Sequence, residues 1–433
     1  MTIRQIKTAL PKAPTDDAAT TARVTELLAR VEAGGEAAVA EISAELDGWL
    51  PSSFVVSDEE IERAGARLSD QTRADIDFSL AQVLKFAQAQ RATLHDLEVE
   101  LSPGLVAGHR HIPVNAAGCY VPGGRYAHAA SAAMSIGTAK AAGVPFVVAC
   151  SPPRRGEGIH DATLYAMSNA GADAILALGG VQAIGTMAFG LFTGCAADVL
   201  AGPGNRYVAE AKRLLFGRVG IDVFAGPTEA LVIADDTADP WVVAVDLASQ
   251  AEHGPDSPTI LITTSQRVAD AVLELIERAI TPLPMADAAR TAWVDCGEVI
   301  VCETREEAAE LSDQYASEHV EIHADDLEWW KATLVNYGTL FVGEETTVAY
   351  GDKSAGPNHI LPTRGAARYT GGLWVGKFLK TLTFEQMTRD ASRDIGQVAA
   401  RVSRVEGMEG HARSTDVRLE KYFPGQDFKL AAH

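Results

Sequence analysis

From Gly118 onward, short apolar runs alternate with alanine-rich helical stretches, and few folds accommodate such a pattern. The segments read GCYVPGG, ASAAMSIGTAKAAG, VPFVVACSPP and DAILALGG in chain order. Uninterrupted apolar runs are typical of parallel strands that helices cover on both faces. A second set of runs and helical stretches follows His253. We therefore predict an α/β fold with two Rossmann-like domains, each an incomplete doubly wound sheet.

The length of the chain and the change in its pattern of apolar residues suggest the domain bounds. A chain of 433 residues is too long for one compact core. We expect a helical N-terminal arm, a discontinuous first α/β domain, a second α/β domain inserted into it and a C-terminal tail. The expected bounds are 1–15 for the arm, 16–119 with 229–372 for the first domain, 120–228 for the second domain, and 373–433 for the tail.

Composition excludes several classes of protein. The formal net charge of −21 argues against a nucleic-acid or anionic-membrane binder, because the field of the whole surface would repel both. A local cationic pocket for an anionic substrate stays compatible with this charge. Five scattered cysteines without a CxxC pair fit reduced thiols. We find no apolar run of membrane-spanning length and expect a cytoplasmic protein.

Three glycine turns follow apolar runs in the first α/β set. They are Val121-Pro122-Gly123-Gly124, Gly179-Gly180-Val181-Gln182 and Gly202-Pro203-Gly204-Asn205. Backbone amides in such turns can bind phosphate or ribose, although each turn alone also fits ordinary turn chemistry. The GxGxxG fingerprint of dinucleotide-binding proteins is absent. Three successive turns on one sheet edge favour a ligand site without naming its ligand.

A few polar side chains could hold a metal ion. Gln250 and His253 are three residues apart, so a helix would place both on one face. Asp352, His359 and His411 follow at wide intervals. A mixed set of nitrogen and oxygen donors suits a borderline divalent ion such as zinc. Histidines exposed at the surface are the simpler explanation that this spacing leaves open.

Glu318 and His319 are candidates for acid and base catalysis. We predict a helix here, on which adjacent residues point about 100° apart and so serve a site from two sides. His319 would act as a general base near neutral pH, and Glu318 would activate a water molecule. Two exposed polar residues at a helix end are the alternative. Cys119 and Cys195 lie near glycine turns, but nothing beside them marks a thiolate nucleophile.

Seven ordered motifs together resemble the histidinol dehydrogenase family across nearly the whole chain. They are GCYVPGG (118–124), LGGVQAIG (178–185), AGPGNRYVAEAKRLLFGRVGIDVFAGPTE (201–229), SQAEH (249–253), ASEHVE (316–321), GDKSAGPNHILPT (351–363) and EGMEGH (406–411). The resemblance implies a homodimeric, zinc-dependent enzyme. Such an enzyme oxidises a primary alcohol through the aldehyde to a carboxylate and uses two NAD⁺.

The resemblance also implies roles for individual residues. The implied zinc ligands are Gln250, His253, Asp352 and His411. The implied acid/base pair is Glu318 and His319. The implied NAD contacts are Tyr120, Gln182 and Asn205. The implied substrate contacts are Thr228, which replaces the family's usual serine, with His359 and Glu406. The resemblance further implies that the C-terminal tail, which carries Glu406 and His411, reaches into the active site of the partner subunit.

Divergent segments bear on the substrate. RYAHAASAAM (125–134) and RYTGGLWVGKFLKTLTFEQMT (368–388) resemble the branch of the family that oxidises 2,3-dihydroxypropane-1-sulfonate to sulfolactate. A sulfonate needs cationic or N–H partners, for which we nominate Arg125, His128 and Lys377. The alternative is that these side chains are ordinary solvent-exposed groups at the protein surface.

Three other functions stay open at this stage. Histidinol is the alternative substrate. A binding protein that lost turnover and a structural oligomer are the alternatives from other classes. The choice between NAD and NADP is open as well.

Overall fold

The computed structural model describes residues 3–10, 17–123, 127–154, 156–223 and 226–430. The strands are β1 (Arg4–Lys7), β2 (Leu97–Ser102), β3 (Leu105–Pro113), β4 (Ala116–Tyr120), β5 (Phe146–Cys150), β6 (Ala174–Leu176), β7 (Val199–Ala201), β8 (Gly220–Ile221), β9 (Ala230–Ala234), β10 (Thr259–Thr263), β11 (Gly297–Val301), β12 (His319–His323), β13 (Thr339–Val342) and β14 (Leu379–Met387).

Helices fill most of the remaining chain. They are α1 (Asp17–Asp47), α2 (Asp58–Arg67), α3 (Asp70–Ala92), α4 (Ala129–Ala132), α5 (Thr138–Ala141), α6 (Asp161–Asn169), α7 (Gly180–Phe189), α8 (Arg206–Leu215), α9 (Pro240–Ala251), α10 (Gln266–Ile280), α11 (Ala286–Cys296), α12 (Arg305–Tyr315), α13 (Leu327–Thr333), α14 (Val348–Lys353), α15 (Arg389–Val405) and α16 (Glu409–Tyr422). A π-helical turn, Ala133–Gly137, joins α4 to α5, and 3₁₀ turns span Ala366–Arg368 and Val375–Phe378. Among the described residues, no helix combines the length and the apolar character that crossing a membrane requires.

The chain divides into two compact units. One comprises Met1–Arg91 with Pro113–Phe378, and the other comprises Ala92–Ile112 with Leu379–His433. The first unit contains both parallel sheets, and the second contains a small sheet and two helices.

One sheet of the first unit has five parallel strands in the order β6-β5-β4-β7-β8. Taking its strands in chain order, this is the 3-2-1-4-5 arrangement of a Rossmann half. The predicted glycine turns follow β4, β6 and β7, so they lie at the carboxyl edge of one sheet, as the sequence indicated; Gly124 of the first turn lies outside the described residues. In such sheets, ligands bind where the strand order reverses, which here is between β4 and β7.

The other sheet of this unit repeats the same order. Its strands run β11-β10-β9-β12-β13, all parallel, and β1 pairs antiparallel with β11 at the edge. Apolar side chains on β9 and β10 pack on both faces, toward α9, α10 and α11 on one side and α12 and α13 on the other. The two parallel sheets predicted from the apolar runs are therefore confirmed.

Helix α1 lies elsewhere than the sequence suggested. We placed residues 16–119 in the domain of the six-stranded sheet, but α1 packs on α7 and α8 beside the five-stranded sheet. Its buried Val24 and Val31 belong to the same core as Ile184 and Leu200. An amphipathic pattern shows that a helix buries one face, but it does not identify the sheet that covers that face.

The second unit combines part of the expected tail with an earlier hairpin. Strands β14, β3 and β2 form a sheet in that order, and α15 packs along α16. Arg404 on α15 binds Asp416 on α16 at 2.5 Å. The strand and the paired helices give most of the expected tail, 373–433, a folded structure of its own.

Candidate active site

Glu318 and His319 lie at the start of a strand rather than in the helix that we predicted. Helix α12 ends at Tyr315, because Ala316 adopts a left-handed conformation with φ of 49°. Strand β12 begins at His319 and pairs with β9 and β13. The alternation of HVEIH between polar and β-branched apolar residues favours a strand, and this local signal explains the difference.

The Glu318 carboxylate is buried and held by two donors. Its Oε2 atom accepts hydrogen bonds from the Thr228 hydroxyl at 2.6 Å and from the Glu229 backbone N–H at 3.0 Å. The Gln250 side-chain amide donates to the same Thr228 hydroxyl at 2.8 Å. Burial raises the pKa of Glu318, with the charge of His319 opposing the shift. A carboxylate with a raised pKa can accept a proton from water near neutral pH.

His319 is buried beside this carboxylate. Its Nδ1 atom lies 3.0 Å from the carbonyl oxygen of Glu229. Its Nε2 atom is buried without a hydrogen-bond partner among the described residues and lies 3.8 Å from Oδ1 of Asp352. Burial, followed by the charge of Glu318, raises the pKa of Glu229 itself to about 7. An unpaired ring nitrogen that faces a carboxylate is suited to receive a proton from a bound substrate.

Asp352 and His359 continue the site. Asp352 lies near the end of α14, and its carbonyl oxygen accepts a hydrogen bond from His359 Nδ1 at 3.0 Å. The other ring nitrogen of His359 accepts from the Ser131 hydroxyl at 2.9 Å. Burial lowers the pKa of His359, so its imidazole is neutral near pH 7.

Three of the four expected zinc ligands belong to this region. Helix α9 ends at Ala251, so Gln250 is helical, whereas His253 lies in the turn that follows rather than on the same helix face. Burial lowers the pKa of His253, and the charge of nearby Asp352 opposes that shift. The Gln250 amide N–H₂ is used by Thr228, which leaves the amide oxygen as its ligand atom. A neutral imidazole, a carboxylate and an amide oxygen are a donor set that fits zinc.

The fourth expected ligand lies in the other compact unit. His411 occupies the first turn of α16, and Glu406 follows the end of α15. Both side chains are exposed. Their roles as a metal ligand and a substrate contact therefore stay predictions.

A large cleft is lined by Thr228, the residue whose hydroxyl binds Glu318. Its volume is about 860 Å³, a size that suits a dinucleotide. Asn205, Thr228, His253 and Arg364 are among the residues that line it. The cleft thus joins a carboxyl-edge turn of the five-stranded sheet to the turn that precedes β9.

Hydrogen bonds fix the glycine turn Gly202–Asn205, part of which lines this cleft. The Asn205 side chain caps α8 by accepting from the N–H groups of Tyr207 and Val208 at 3.0 and 3.1 Å. The buried Lys212 ammonium donates to the carbonyl oxygen of Gly202 at 2.8 Å and to Asp222 Oδ1 at 2.5 Å. Asp222 Oδ2 accepts from the Gly202 N–H at 2.7 Å. A rigid turn at a helix N-terminus is suited to bind a pyrophosphate.

The two other expected NAD contacts, Tyr120 and Gln182, are buried and do not line the large cleft. The Tyr120 hydroxyl accepts from the Gly180 N–H at 3.2 Å, and burial raises the pKa of Tyr120 to about 12. The buried Gln182 amide donates to Asp47 at 2.8 Å. These hydrogen bonds hold the turn at Gly179 in place through buried side chains. Of the three expected residues, Asn205 lines the large cleft.

A smaller cleft of about 270 Å³ is lined by His128, Lys353 and His359 among others. Burial, reinforced by the charge of Lys353, lowers the pKa of His128 to about 4, so His128 is a neutral donor near pH 7. Lys377 does not line this cleft, and Arg125 lies outside the described residues. Sequence reasoning missed Lys353, although it is adjacent to Asp352 in the chain.

A second buried polar cluster was also missed. Asp246, Glu321 and His323 place ligand atoms within 4.8 Å of one another. Two spacings in the sequence could have revealed it. Glu321 and His323 share one face of β12 with His319, and Asp246 is one helical turn before Gln250.

Three of the cysteines are buried thiols with a raised pKa. Burial raises the pKa of Cys119 to about 12, and burial also raises the pKa of Cys150 and Cys302. A buried thiol of this kind is not a nucleophile near neutral pH. For Cys119, this agrees with the sequence, in which nothing beside it marks a thiolate nucleophile.

A dinucleotide-sized cleft lined by a carboxyl-edge turn of a Rossmann-like sheet fits a nucleotide-dependent dehydrogenase. A sequence profile of histidinol dehydrogenase matches residues 10–419. The chain is 55% identical to a histidinol dehydrogenase homolog from Ruegeria pomeroyi, over 98% of each chain. It is 51% identical to the sulfopropanediol 3-dehydrogenase of the same bacterium, over 100% of each chain.

A solved structure agrees with the sequence matches. The crystal structure of histidinol dehydrogenase from Elizabethkingia anophelis matches with a TM-score of 0.89 and 32% identity, over 95% of this chain and 94% of that one. The chain belongs to the histidinol dehydrogenase family and is an NAD-dependent dehydrogenase.

Proposed function

We infer that this enzyme oxidises the primary alcohol of 2,3-dihydroxypropane-1-sulfonate through the aldehyde to sulfolactate, with two NAD⁺. The observation that carries this inference is Lys353, which lines the small cleft beside Asp352 with His128 and His359. A sulfonate there would meet the Lys353 ammonium and the neutral imidazole of His128, which are the cationic and N–H partners that an anion requires. The full-length identity of 51% to a sulfopropanediol 3-dehydrogenase supports the same substrate.

The donor set of Gln250, His253 and Asp352 would hold zinc, and the large cleft would hold NAD⁺. Bound zinc would supply Lewis acidity toward the substrate oxygen, and NAD⁺ would supply the hydride acceptor. The residues of the chain handle protons. His319 Nε2 takes the hydroxyl proton as the C–H hydride leaves, which gives the aldehyde.

The second oxidation needs water. Glu318 accepts a proton from the water molecule that adds to the aldehyde carbon, and the protonated His319 returns its proton to the aldehyde oxygen, which gives the hydrate and restores the free base. His319 then takes a hydroxyl proton of the hydrate as the second hydride leaves, and the carboxylic acid that forms loses its remaining proton to water to give the carboxylate. Thr228 keeps the Glu318 carboxylate aimed during both steps, because its hydroxyl binds Oε2 directly.

A histidinol dehydrogenase, which oxidises histidinol with the same NAD⁺, is the second candidate. Asp75 lines the small cleft, and its carboxylate would suit the amine of histidinol rather than a sulfonate. The two candidates differ only in the group bound in that cleft, so a direct comparison of the two substrates separates them.

The test measures NADH formation on sulfopropanediol and histidinol with the wild type and Lys353→Met. We expect two NADH per sulfopropanediol consumed. Lys353→Met should lower kcat/KM for sulfopropanediol about ten- to a hundred-fold through KM, because a charge-assisted hydrogen bond is lost. Lys331→Met removes an exposed ammonium on α13 and serves as the matched control.

Lys377→Met tests the alternative anion contact in the same assay. A larger loss in that variant than in Lys353→Met would move the sulfonate away from the small cleft. Faster turnover of histidinol than of sulfopropanediol by the wild type would replace the proposed substrate.

A further inference from the structure

One face of β12 is unusual for a strand that is buried on both sides. Val320 and Ile322 point into an apolar core, as expected for a central parallel strand. The other face carries His319, Glu321 and His323, all of them buried. His319 belongs to the candidate active site. The remaining pair lies farther along the strand and needs a separate explanation.

Glu321 and His323 face Asp246 of α9. Glu321 is 1% exposed and His323 is 3% exposed. Each carboxylate commits one oxygen to the start of α14. The Thr347 hydroxyl lies 3.1 Å from Asp246 Oδ1 and 3.0 Å from Glu321 Oε1, and the Val348 N–H donates to Glu321 Oε1 at 2.7 Å. These contacts orient both carboxylates and leave their second oxygens free.

The free atoms converge without hydrogen bonds. Asp246 Oδ2, Glu321 Oε2 and both ring nitrogens of His323 are buried and have no hydrogen-bond partner among the described residues. Leaving buried polar atoms unpaired is unfavourable, so such a group in a folded protein indicates a missing partner. Two carboxylates and one imidazole are a donor set for a divalent transition metal.

The separations agree with ligands around an ion. His323 Nε2 lies 3.6 Å from Asp246 Oδ2 and 3.6 Å from Glu321 Oε2. Both separations exceed an ordinary hydrogen bond. Zinc bonds of about 2.0–2.1 Å at tetrahedral angles place neighbouring ligand atoms about 3.4 Å apart. We propose that Asp246, Glu321 and His323 bind a second zinc ion, separate from the ion held at Gln250, His253 and Asp352.

The position of this site suggests a structural role. It joins α9, β12 and α14, and each of these elements carries a residue of the candidate active site: Gln250, His319 and Asp352. The Thr347 and Val348 contacts form the outer shell that orients the two carboxylates. An ion there would fix the register of the three elements, so it positions the active site without touching the substrate.

The experiment measures zinc by mass spectrometry in purified wild type and variants. We expect about two zinc ions per wild-type chain and about one in Glu321→Gln or His323→Gln. Asp352→Asn should also retain about one ion, and the double variant Asp352→Asn/His323→Gln should retain none. His111→Asn, which alters a partly exposed histidine beside His109, controls for zinc on surface imidazoles and should keep both ions.

Crystals of the wild type give a test that does not depend on folding of the variants. Anomalous scattering at the zinc edge should show a peak within bonding distance of the three free atoms. A wild type with one zinc, lost in Asp352→Asn and kept in His323→Gln, would overturn the second site and leave the proposed function intact. One zinc that is lost in His323→Gln and kept in Asp352→Asn would support the second site and contradict the catalytic one.

Discussion

The Nδ1 atom of His319 lies 3.0 Å from the carbonyl oxygen of Glu229, and this contact decides which ring nitrogen is available for the proposed role as a base. A carbonyl oxygen only accepts hydrogen bonds, so Nδ1 carries the proton of the neutral imidazole. Nε2 keeps its lone pair and lies toward Asp352. Glu229 therefore sets the tautomer through its backbone, and no side-chain substitution at that position removes the contact.

Replacing His319 should affect both oxidation steps. His319→Ala removes the atom that receives the hydroxyl proton each time a hydride leaves. We expect kcat to fall roughly 10²–10⁴-fold with either the alcohol or the aldehyde as substrate. Stopped-flow NADH formation measures both rates, and His95→Ala, at an exposed histidine, is the control. A variant that oxidises either substrate at the wild-type rate would show that another group is the base.

Replacing Glu318 should separate the two steps. Glu318→Gln keeps the size of the side chain and a carbonyl oxygen for Thr228, but it cannot accept a proton from water. We expect oxidation of the aldehyde to slow about a hundred-fold or more, whereas oxidation of the alcohol slows less. A burst of one NADH per site and trapping of the aldehyde would show this. Equal losses on the two substrates would contradict the division of roles.

The Lys212–Asp222 pair should govern both stability and NAD affinity. Lys212 is 3% exposed and Asp222 is 0% exposed, so Lys212→Met leaves a buried carboxylate without its partner. Such a loss costs about 3–5 kcal/mol of unfolding free energy. The KM for NAD⁺ should rise as well, because Lys212 also fixes the carbonyl of Gly202.

Lys140→Met provides the matched control for this prediction. It breaks a partly exposed pair with Asp173, and such pairs contribute about 0–1 kcal/mol. Urea unfolding compares the two variants. Similar midpoints for Lys212→Met and Lys140→Met would mean that the buried pair does not hold the turn.

The sequence predicted most of the fold because its strongest signals are periodic and local. The apolar runs predicted both parallel sheets. The glycine turns that begin at Val121, Gly179 and Gly202 follow strands, as expected. The partner of α1 could not be predicted, because an apolar stripe does not identify the surface it covers. The helix predicted at Glu318 is absent because α12 ends earlier, at Tyr315, where the following residue Ala316 adopts a left-handed conformation.

The candidate site was predicted only where its residues form a local motif. Glu318 and His319 stand out as neighbours, whereas Lys353 becomes a candidate only when a cleft is seen beside it. Asp246, Glu321 and His323 come from two elements that are far apart in the chain. The alternation along β12 and the position of Asp246 one helical turn before Gln250 are the two signals in the sequence, and neither spacing distinguishes a buried face from an exposed one.

The last prediction concerns the dimer that the family resemblance implies. Asp352 lies in the first compact unit, and the exposed His411 lies in the second. If each active site combines Asp352 of one subunit with His411 of the partner subunit, then Asp352→Asn and His411→Ala are each inactive as homodimers. Each homodimer lacks one zinc ligand at both of its sites.

Mixed dimers of the two inactive variants then distinguish the arrangements. One site of a mixed dimer carries both substitutions, and the other carries neither. We expect a purified, differently tagged mixed dimer to recover about half of the wild-type activity. If both ligands came from the same subunit, both sites of the mixed dimer would lack a ligand and it would stay inactive. A mixed dimer without activity, checked against a wild-type dimer purified through the same two tags, would therefore place His411 in the site of its own chain.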